Sequence, residues 1–203
     1  MRNIINSLPI ENLKYLFEGN EVFLRKLKMD NVSVYSMTPL EASKSIIKII
    51  LKYVPKKSTI TDMTACIGGD TIRFSQIFSQ INSIELSEER CEFLKHNVNV
   101  YKRKNVKIYQ GDSLNIIEGL KQDVIYIDPP WGGKKYKYKK KINLYLSKQP
   151  MWNICNTLLP LAKIIVLKVP LNFNVNFFIK KVSVNEVDVY PLEKMQLIII
   201  KRD

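Results

Sequence analysis

Histidine and cysteine are scarce in this chain. The single His96 and the widely separated Cys66, Cys91 and Cys155 never come within metal-ligand spacing of one another. Three thiols are also an odd number, which argues against a disulfide framework and points to buried free cysteines in a reducing compartment. Long apolar runs are missing as well. Ile46 to Val54 and Leu197 to Ile200 fall far short of a membrane-spanning helix, and the start lacks a signal-peptide pattern. The expectation is an intracellular protein, nucleus and cytoplasm equally open, with no membrane or metal partner and a monomer favoured. Acidic residues are in deficit: 19 Asp and Glu face 32 Lys and Arg, a formal charge of +13. Such an excess draws in polyanions by counterion release. The chain is also rich in Lys, Asn and Ile, as a nucleotide bias in the gene would make it, so the charge has to be judged by its clustering. His96, between Lys95 and Asn97 in a polar helix, is expected to be exposed and without a role.

The chain has 203 residues, 46% of them apolar, enough for one sizeable core and too few for two. The expected organisation is a helical N-terminal extension over 1–37 and one domain over 38–203. From Thr59 onward, β-branched runs alternate with helical stretches. Strands are expected at Thr59–Thr64, Ile81–Leu86, Val106–Gln110, Asp123–Asp128, Lys163–Val169, Val182–Tyr190 and Met195–Arg202. Helices are expected at Thr71–Gln80, Ser87–Tyr101, Ser113–Gly119 and Lys148–Leu159, with short ones near Ile10–Glu18 and Asn174–Lys180. This alternation is the pattern of an α/β fold with a mostly parallel seven-stranded sheet. The last two strands, joined by Pro191–Lys194, should form an antiparallel hairpin. Thr38-Pro39-Leu40-Glu41 fits a helix start with Thr38 as N-cap and Pro39 at the first helical position.

Acids recur where strands end. Asp62 opens the stretch Asp62-Met63-Thr64-Ala65-Cys66-Ile67-Gly68-Gly69-Asp70, whose two glycines permit a positive φ and let a ligand approach the backbone. Glu85 ends the next strand, about where nucleotide-binding α/β domains place the carboxylate that holds a ribose diol. Gly111-Asp112 ends the third, where an Asp can accept from an adenine amine. The fourth ends in Asp128-Pro129-Pro130-Trp131-Gly132-Gly133. Two prolines keep that backbone extended and cannot donate, which leaves nearby carbonyls as fixed acceptors. An exocyclic amine on a base is a poor nucleophile because its lone pair is delocalised. Catalysis at such a nitrogen must orient it and accept from its N–H groups, work that Asp128 and the Pro129 carbonyl suit. Trp131 offers a face for stacking, and a cationic N7-methylguanine there would gain about 1–2 kcal/mol from the indole quadrupole.

These motifs resemble those of the trimethylguanosine synthase family, the RNA cap guanine-N2 methyltransferases. The resemblance covers Ser36-Met37-Thr38-Pro39, the stretch Asp62 to Ser75, Gly111-Asp112, and Asp123 to Gly133 with its Pro-Pro-Trp-Gly-Gly. It implies a Rossmann-like class I methyltransferase with S-adenosylmethionine (SAM) as donor, acting on the N2 amine of the N7-methylguanosine cap of RNA. It further implies cofactor contacts from Thr38, Asp62, Thr64, Gly68, Gly69, Thr71, Glu85, Leu86, Gly111, Asp112, Ser113 and Asp128. The catalytic group it implies is Asp128, Pro129, Pro130 and Trp131. Two residues depart from the family pattern. Asp128 stands where the family has Ser, as in adenine-N6 and ribosomal guanine-N2 enzymes, and Cys66 stands where it has Gly, which implies a tighter cofactor loop.

After the Pro-Pro-Trp comes Lys134-Lys135-Tyr136-Lys137-Tyr138-Lys139-Lys140-Lys141, six lysines and two tyrosines in eight residues. Interleaved aromatics and cations suit RNA phosphates and bases, so Lys134, Lys135, Tyr136 and Lys137 join Trp131 as candidate contacts to capped RNA. Two other functions fit the same residues. One is methylation of an internal guanine or adenine amine, which Asp128 would serve equally. The other is a non-catalytic RNA-binding subunit, which the full set of acids argues against.

Overall fold

The computed structural model describes residues 3–184 and 186–202, with only the backbone of Lys134. Two compact units divide the chain, Met1–Leu120 and Lys121–Asp203. The first carries α1 (Ile10–Leu16), α2 (Glu21–Leu24), α3 (Ser33–Ser36), α4 (Leu40–Ile50), β1 (Thr59–Asp62), α5 (Gly69–Phe74), β2 (Gln80–Glu85), α6 (Glu88–Val100), β3 (Val106–Gln110) and α7 (Ser113–Ile116). The second carries β4 (Val124–Ile127), β5 (Tyr145–Leu146), β6 (Gln149–Pro150), α8 (Met151–Leu158), β7 (Ile164–Pro170), α9 (Val175–Ile179), β8 (Val187–Pro191) and β9 (Met195–Lys201). Seven strands form one sheet in the order β3-β2-β1-β4-β7-β9-β8, and β5 pairs with β6 separately. Among the described residues, no helix is long and apolar enough to cross a membrane.

In the first unit, β1, β2 and β3 are parallel, with Asp62 opposite Ser83 and Glu85 opposite Gln110. That register brings the residues after β2 and β3 to the same edge, where α/β sheets bind ligands. The helix after β1 runs Gly69–Phe74, starting two residues before the expected Thr71 and ending well before Gln80. Gln80 is already in β2. Helix α4 starts at Leu40 with Pro39 as its N-cap. Thr38 is therefore not the cap, and its hydroxyl donates to Asp70 Oδ2 at 2.5 Å instead.

Residues 5–29 are integral to this unit. Ile5, Leu13, Leu16, Phe17, Leu24, Leu27 and Met29 bury their side chains together with Ile67 from the turn after β1. Each such burial is worth roughly 1.5–3 kcal/mol of transfer free energy. Buried Asn97 of α6 fastens the arrangement. It accepts from Lys28 N at 2.8 Å and donates to Lys28 O at 2.9 Å and Ile67 O at 3.0 Å. His96 is half-buried rather than exposed, with Nε2 2.7 Å from Lys26 O. Asp30, almost fully buried, receives Ser33 N at 2.6 Å and Arg90 Nε at 2.9 Å. Burial pushes its carboxyl up, but the Ser33 and Arg90 hydrogen bonds outweigh that and hold it below the usual carboxylate range.

In the second unit, β4 runs parallel to β7, with Val124 opposite Ile164 and Ile127 opposite Leu167. All seven residues of β7 are buried, the burial typical of a strand covered on both faces. β9 pairs antiparallel with β7 on one side and β8 on the other. The expected strand at 182–190 is shorter, beginning at Val187, and part of the preceding stretch, Asn185, lies outside the described residues.

Candidate functional site

The first unit holds a set of carboxylates fixed by neutral donors. Asp62, at the end of β1, is 1% exposed and accepts from Thr71 Oγ1 at 2.7 Å and from Thr64 N at 3.3 Å. The Thr71 oxygen also lies 2.9 Å from Ser83 Oγ, so β1, β2 and α5 are joined through one hydroxyl. Between them the chain turns sharply. Cys66 adopts φ +51° and Gly68 φ +96°, both left-handed. The left-handed region is costly for a residue with a Cβ, so Cys66 keeps a conformation natural to glycine at some strain. Burial pushes its thiol up to about 12, with the Glu85 charge adding to the effect.

The two glycines act partly through packing. A Cβ on Gly68 would lie 2.7 Å from Leu94 Cδ1, and one on Gly69 would lie 2.5 Å from Met37 Cε. Their missing side chains therefore seat α5 against α6 and the segment before α4, a use the sequence did not disclose. Asp70 in the first turn of α5 gathers Thr38 Oγ1, Ser43 Oγ at 2.7 Å and Arg73 NH1 at 3.4 Å. Buried Thr38 is thus tied to the first turn of α5 through Asp70.

Glu85 ends β2 at 8% exposure. Cys66 N donates to its Oε2 at 2.8 Å and Ser87 N to its Oε1 at 2.8 Å. A carboxylate has about four acceptor positions, so two backbone donors fix its plane while leaving room for a ligand diol. Leu86 beside it is 64% exposed, an apolar surface suited to one face of a planar base. Gly111 N donates to Glu85 O at 3.0 Å, which sets the next strand end alongside. There Asp112 caps α7 by accepting from Leu114 N at 3.0 Å, with Ser113 buried behind it. Acidic acceptors beside an apolar surface are what the hydroxyl and amine donors of an adenosine moiety require, so these residues fit the implied cofactor.

The second unit presents a different carboxylate. Asp128 follows β4 directly, and Lys168 Nζ donates to its Oδ2 at 2.6 Å. Lys168 is 2% exposed and Asp128 20%. The same ammonium lies 5.5 Å from the centroid of the Trp131 ring. Tyr136 meets Trp131 edge to face, centroids 5.2 Å apart at 88°. Pro129 is buried and Pro130 exposed. Gly132 and Gly133 take φ +91° and +65°, turning the chain into a 3-10 helix over Gly133–Tyr138. Asn172 Nδ2 anchors that helix by donating to Tyr136 O at 2.9 Å and Lys139 O at 2.7 Å. Burial pushes the Tyr136 hydroxyl up, with Lys168 opposing. Lys135 and Lys137 are exposed, and the Lys134 side chain lies outside the described residues. A groove of about 340 Å³ runs between Tyr136 and Lys137 on one side and Leu171, Asn172, Glu193 and Lys194 on the other.

Sequence reasoning missed Lys168, Asn172 and Asn97. Lys168 had a visible signal, a lone charge inside the apolar run Ile164–Pro170. A buried ammonium demands a partner, and the run itself did not name one. Asn172 and Asn97 carried no such signal.

The family described as RNA cap guanine-N2 methyltransferase matches residues 58–191. An uncharacterized protein of Acanthamoeba polyphaga mimivirus is 33% identical over 152 residues, 72% of this chain and 59% of that protein. The trimethylguanosine synthase of Schizosaccharomyces pombe is 29% identical over 123 residues, 57% of this chain and 51% of the synthase. The chain therefore spans between half and three-fifths of the length of these curated relatives. Among solved structures, a putative methyltransferase from Porphyromonas gingivalis W83 superposes with a TM-score of 0.68 at 16% identity, covering 94% of this chain and 54% of that one. That likeness shows the fold.

Proposed function

Because the chain belongs to the RNA cap guanine-N2 methyltransferase family, we propose that it methylates the exocyclic N2 of the N7-methylguanosine cap of RNA with SAM as donor. The observation that carries this reading is the Asp128-Pro129-Pro130-Trp131 loop, where a partly exposed carboxylate and an indole ring stand beside one buried ammonium.

In this reading the first unit binds the donor. Glu85 accepts from the ribose hydroxyls, Asp112 from the adenine amine, and Leu86 covers one face of the base. Asp62 and Thr71 keep the turn at Gly68 in place, and Thr38 does so through Asp70. The bound cofactor supplies an electrophilic methyl group on a sulfonium. The second unit orients the acceptor. Asp128 and the Pro129 carbonyl accept from the amine N–H groups, which aligns the nitrogen lone pair without a strong base. Trp131 stacks the guanine, with its ring held by Tyr136. Lys137 and Lys194 line the groove of about 340 Å³ and Lys135 is exposed, cations suited to the phosphates that follow a cap.

One residue supports a second reading. Asp128, a departure from the Ser of the resembled family pattern, also suits an internal guanine or adenine amine. A methylation assay separates the two by comparing N7-methylated cap analogue, unmethylated cap analogue and uncapped RNA. Methyl incorporation into the N7-methylated analogue at N2 is the expected result. Incorporation into uncapped RNA alone would overturn the cap reading in favour of an internal base.

A further inference from the structure

Lys168 lies in β7 between Leu167 and Val169, both fully buried, and is itself 2% exposed. The β4–β7 register explains its partner. Ile127 stands opposite Leu167, so one step further along both parallel strands Asp128 comes beside Lys168. Stability alone does not account for the pair. A buried ion pair replaced by apolar side chains of similar volume is often neutral or stabilising, whereas loss of one partner is costly. The two charges also differ in access, because the carboxylate is partly open and the ammonium is sealed behind it. Asp128 is therefore open to contact by a ligand, whereas Lys168 can act only through its neighbours. The ammonium nevertheless reaches both groups of the loop, with Asp128 Oδ2 at 2.6 Å and the Trp131 ring centroid at 5.5 Å.

We infer that Lys168 is a positioning and specificity-determining residue: it fixes the Asp128 carboxylate toward the amine and offsets its charge beside the base stacked on Trp131. The inference rests on the reading of the Asp128–Trp131 loop as the amine-binding site. Two consequences follow. Without Lys168 the carboxylate loses the ammonium held 2.6 Å from its Oδ2, and an orientation error at the nucleophile slows turnover. Without it the carboxylate also loses the ammonium that offsets its charge beside the base. A negative charge less offset there attracts a cationic ring over a neutral one, so the preference for N7-methylguanine over guanine should rise. Lys168 thus trades raw attraction for alignment and keeps selection of the cationic base at the indole.

The test uses Lys168→Met, Lys168→Arg and the double variant Asp128→Asn/Lys168→Met in the full chain. Lys168→Met is expected to lower kcat by about 10–100-fold, the penalty of a misplaced reacting group. Its affinity ratio for N7-methylated over unmethylated cap analogue is expected to rise about tenfold, from a charge acting at an effective dielectric of ~20. Lys168→Arg should recover most of kcat and keep the wild-type ratio. The double variant should return the ratio to wild type with kcat still low, and it carries the test if Lys168→Met does not fold. SAM affinity, read in the same samples by calorimetry, should be unchanged in all three. A folded Lys168→Met protein with wild-type kcat and ratio would overturn the inference. So would a fall in kcat that Arg does not rescue, with the ratio constant throughout, because packing alone would then be at stake. A double variant with a strongly altered ratio would also overturn it. Equal binding of both analogues by the wild type would sink the cap reading alone. Turnover on uncapped RNA then decides the positioning role, through loss in Lys168→Met and recovery in Lys168→Arg.

Discussion

The carboxylates of the two units are held in opposite ways. Glu85 is gripped by two backbone N–H groups, Asp62 by a hydroxyl and an N–H, and Asp112 by an N–H at a helix start. Asp128 is gripped by a buried ammonium. Neutral donors fix orientation and leave the negative charge in place, so Glu85 and Asp112 suit hydroxyl and amine donors of a bound ligand. An ammonium fixes orientation and offsets the charge. A carboxylate of that kind can align a base amine without dominating the choice between neutral and cationic bases. The same residue type thus serves two purposes, set by what stands behind it.

Breaking the contrast at its charged end should have the largest effect. Asp128→Asn keeps the shape and removes the charge, and turnover is expected to fall about 10²–10³-fold, as when a preorganised polar group is lost. Single-turnover kinetics with saturating SAM checks this, and a parallel loss of SAM affinity would erase the division of labour. Breaking the neutral end comes next. Glu85→Ala leaves the Cys66 and Ser87 N–H groups without their acceptor. SAM affinity should drop by about ten- to a hundredfold, the worth of one or two charge-assisted hydrogen bonds. Calorimetry should show this with RNA affinity preserved, and unchanged SAM binding would remove Glu85 from the site.

A smaller effect sharpens the comparison at the rim of the second unit. Changing Lys135, Lys137 and Lys139 to Gln should flatten the slope of log affinity against log salt for capped RNA by about 2, using the single-strand value per phosphate. An unaltered slope would return these exposed side chains to a solvated surface. The smallest effect concerns a buried carboxylate of the first unit that, like Asp128, is held by a cation. Asp30 pairs with Arg90 in the first turn of α6, and its carboxyl sits below the usual range. A depressed carboxyl adds stability above its unfolded value near 3.8, and that stability disappears as pH falls through the lower folded value. Asp30→Asn should therefore lower the melting temperature by about 2–6 °C at pH 7 and by less near pH 3, with SAM affinity intact. A melting temperature equally depressed at both pH values would assign the loss to packing.

Much of the first unit was legible because its signals are local. Strand ends can be found from β-branched runs that stop at Asp62, Glu85 and Gly111, and Asp62, Glu85 and Asp112 each accept from a backbone N–H two residues on. The helix after β1 was misplaced because apolar spacing continues past Phe74, while the chain has to leave the helix to reach β2 at Gln80. Thr38 reads as a cap from its neighbours, yet Asp70, thirty-two residues on, takes its hydroxyl. Cys66 stood out as a departure from the family pattern. Its positive φ shows that the turn keeps the glycine conformation and tolerates the side chain.

By itself the sequence determined the order of the seven longer strands and the main helices between them, though not the short β5–β6 pair, where Gln149–Pro150 is strand and the expected helix starts only at Met151, together with the acids at successive strand ends and the Pro-Pro-Trp loop beside its lysines. These are features of periodicity, turn chemistry and composition, and they act over a few residues. The tertiary structure alone decided that Lys168 stands behind Asp128, that Asn172 ties down the lysine-bearing 3-10 helix, and that Asn97 joins the N-terminal segment to the turn after β1. Each of those pairings crosses at least thirty residues of chain. Strand register and the packing of whole elements choose such partners, and no local pattern records either.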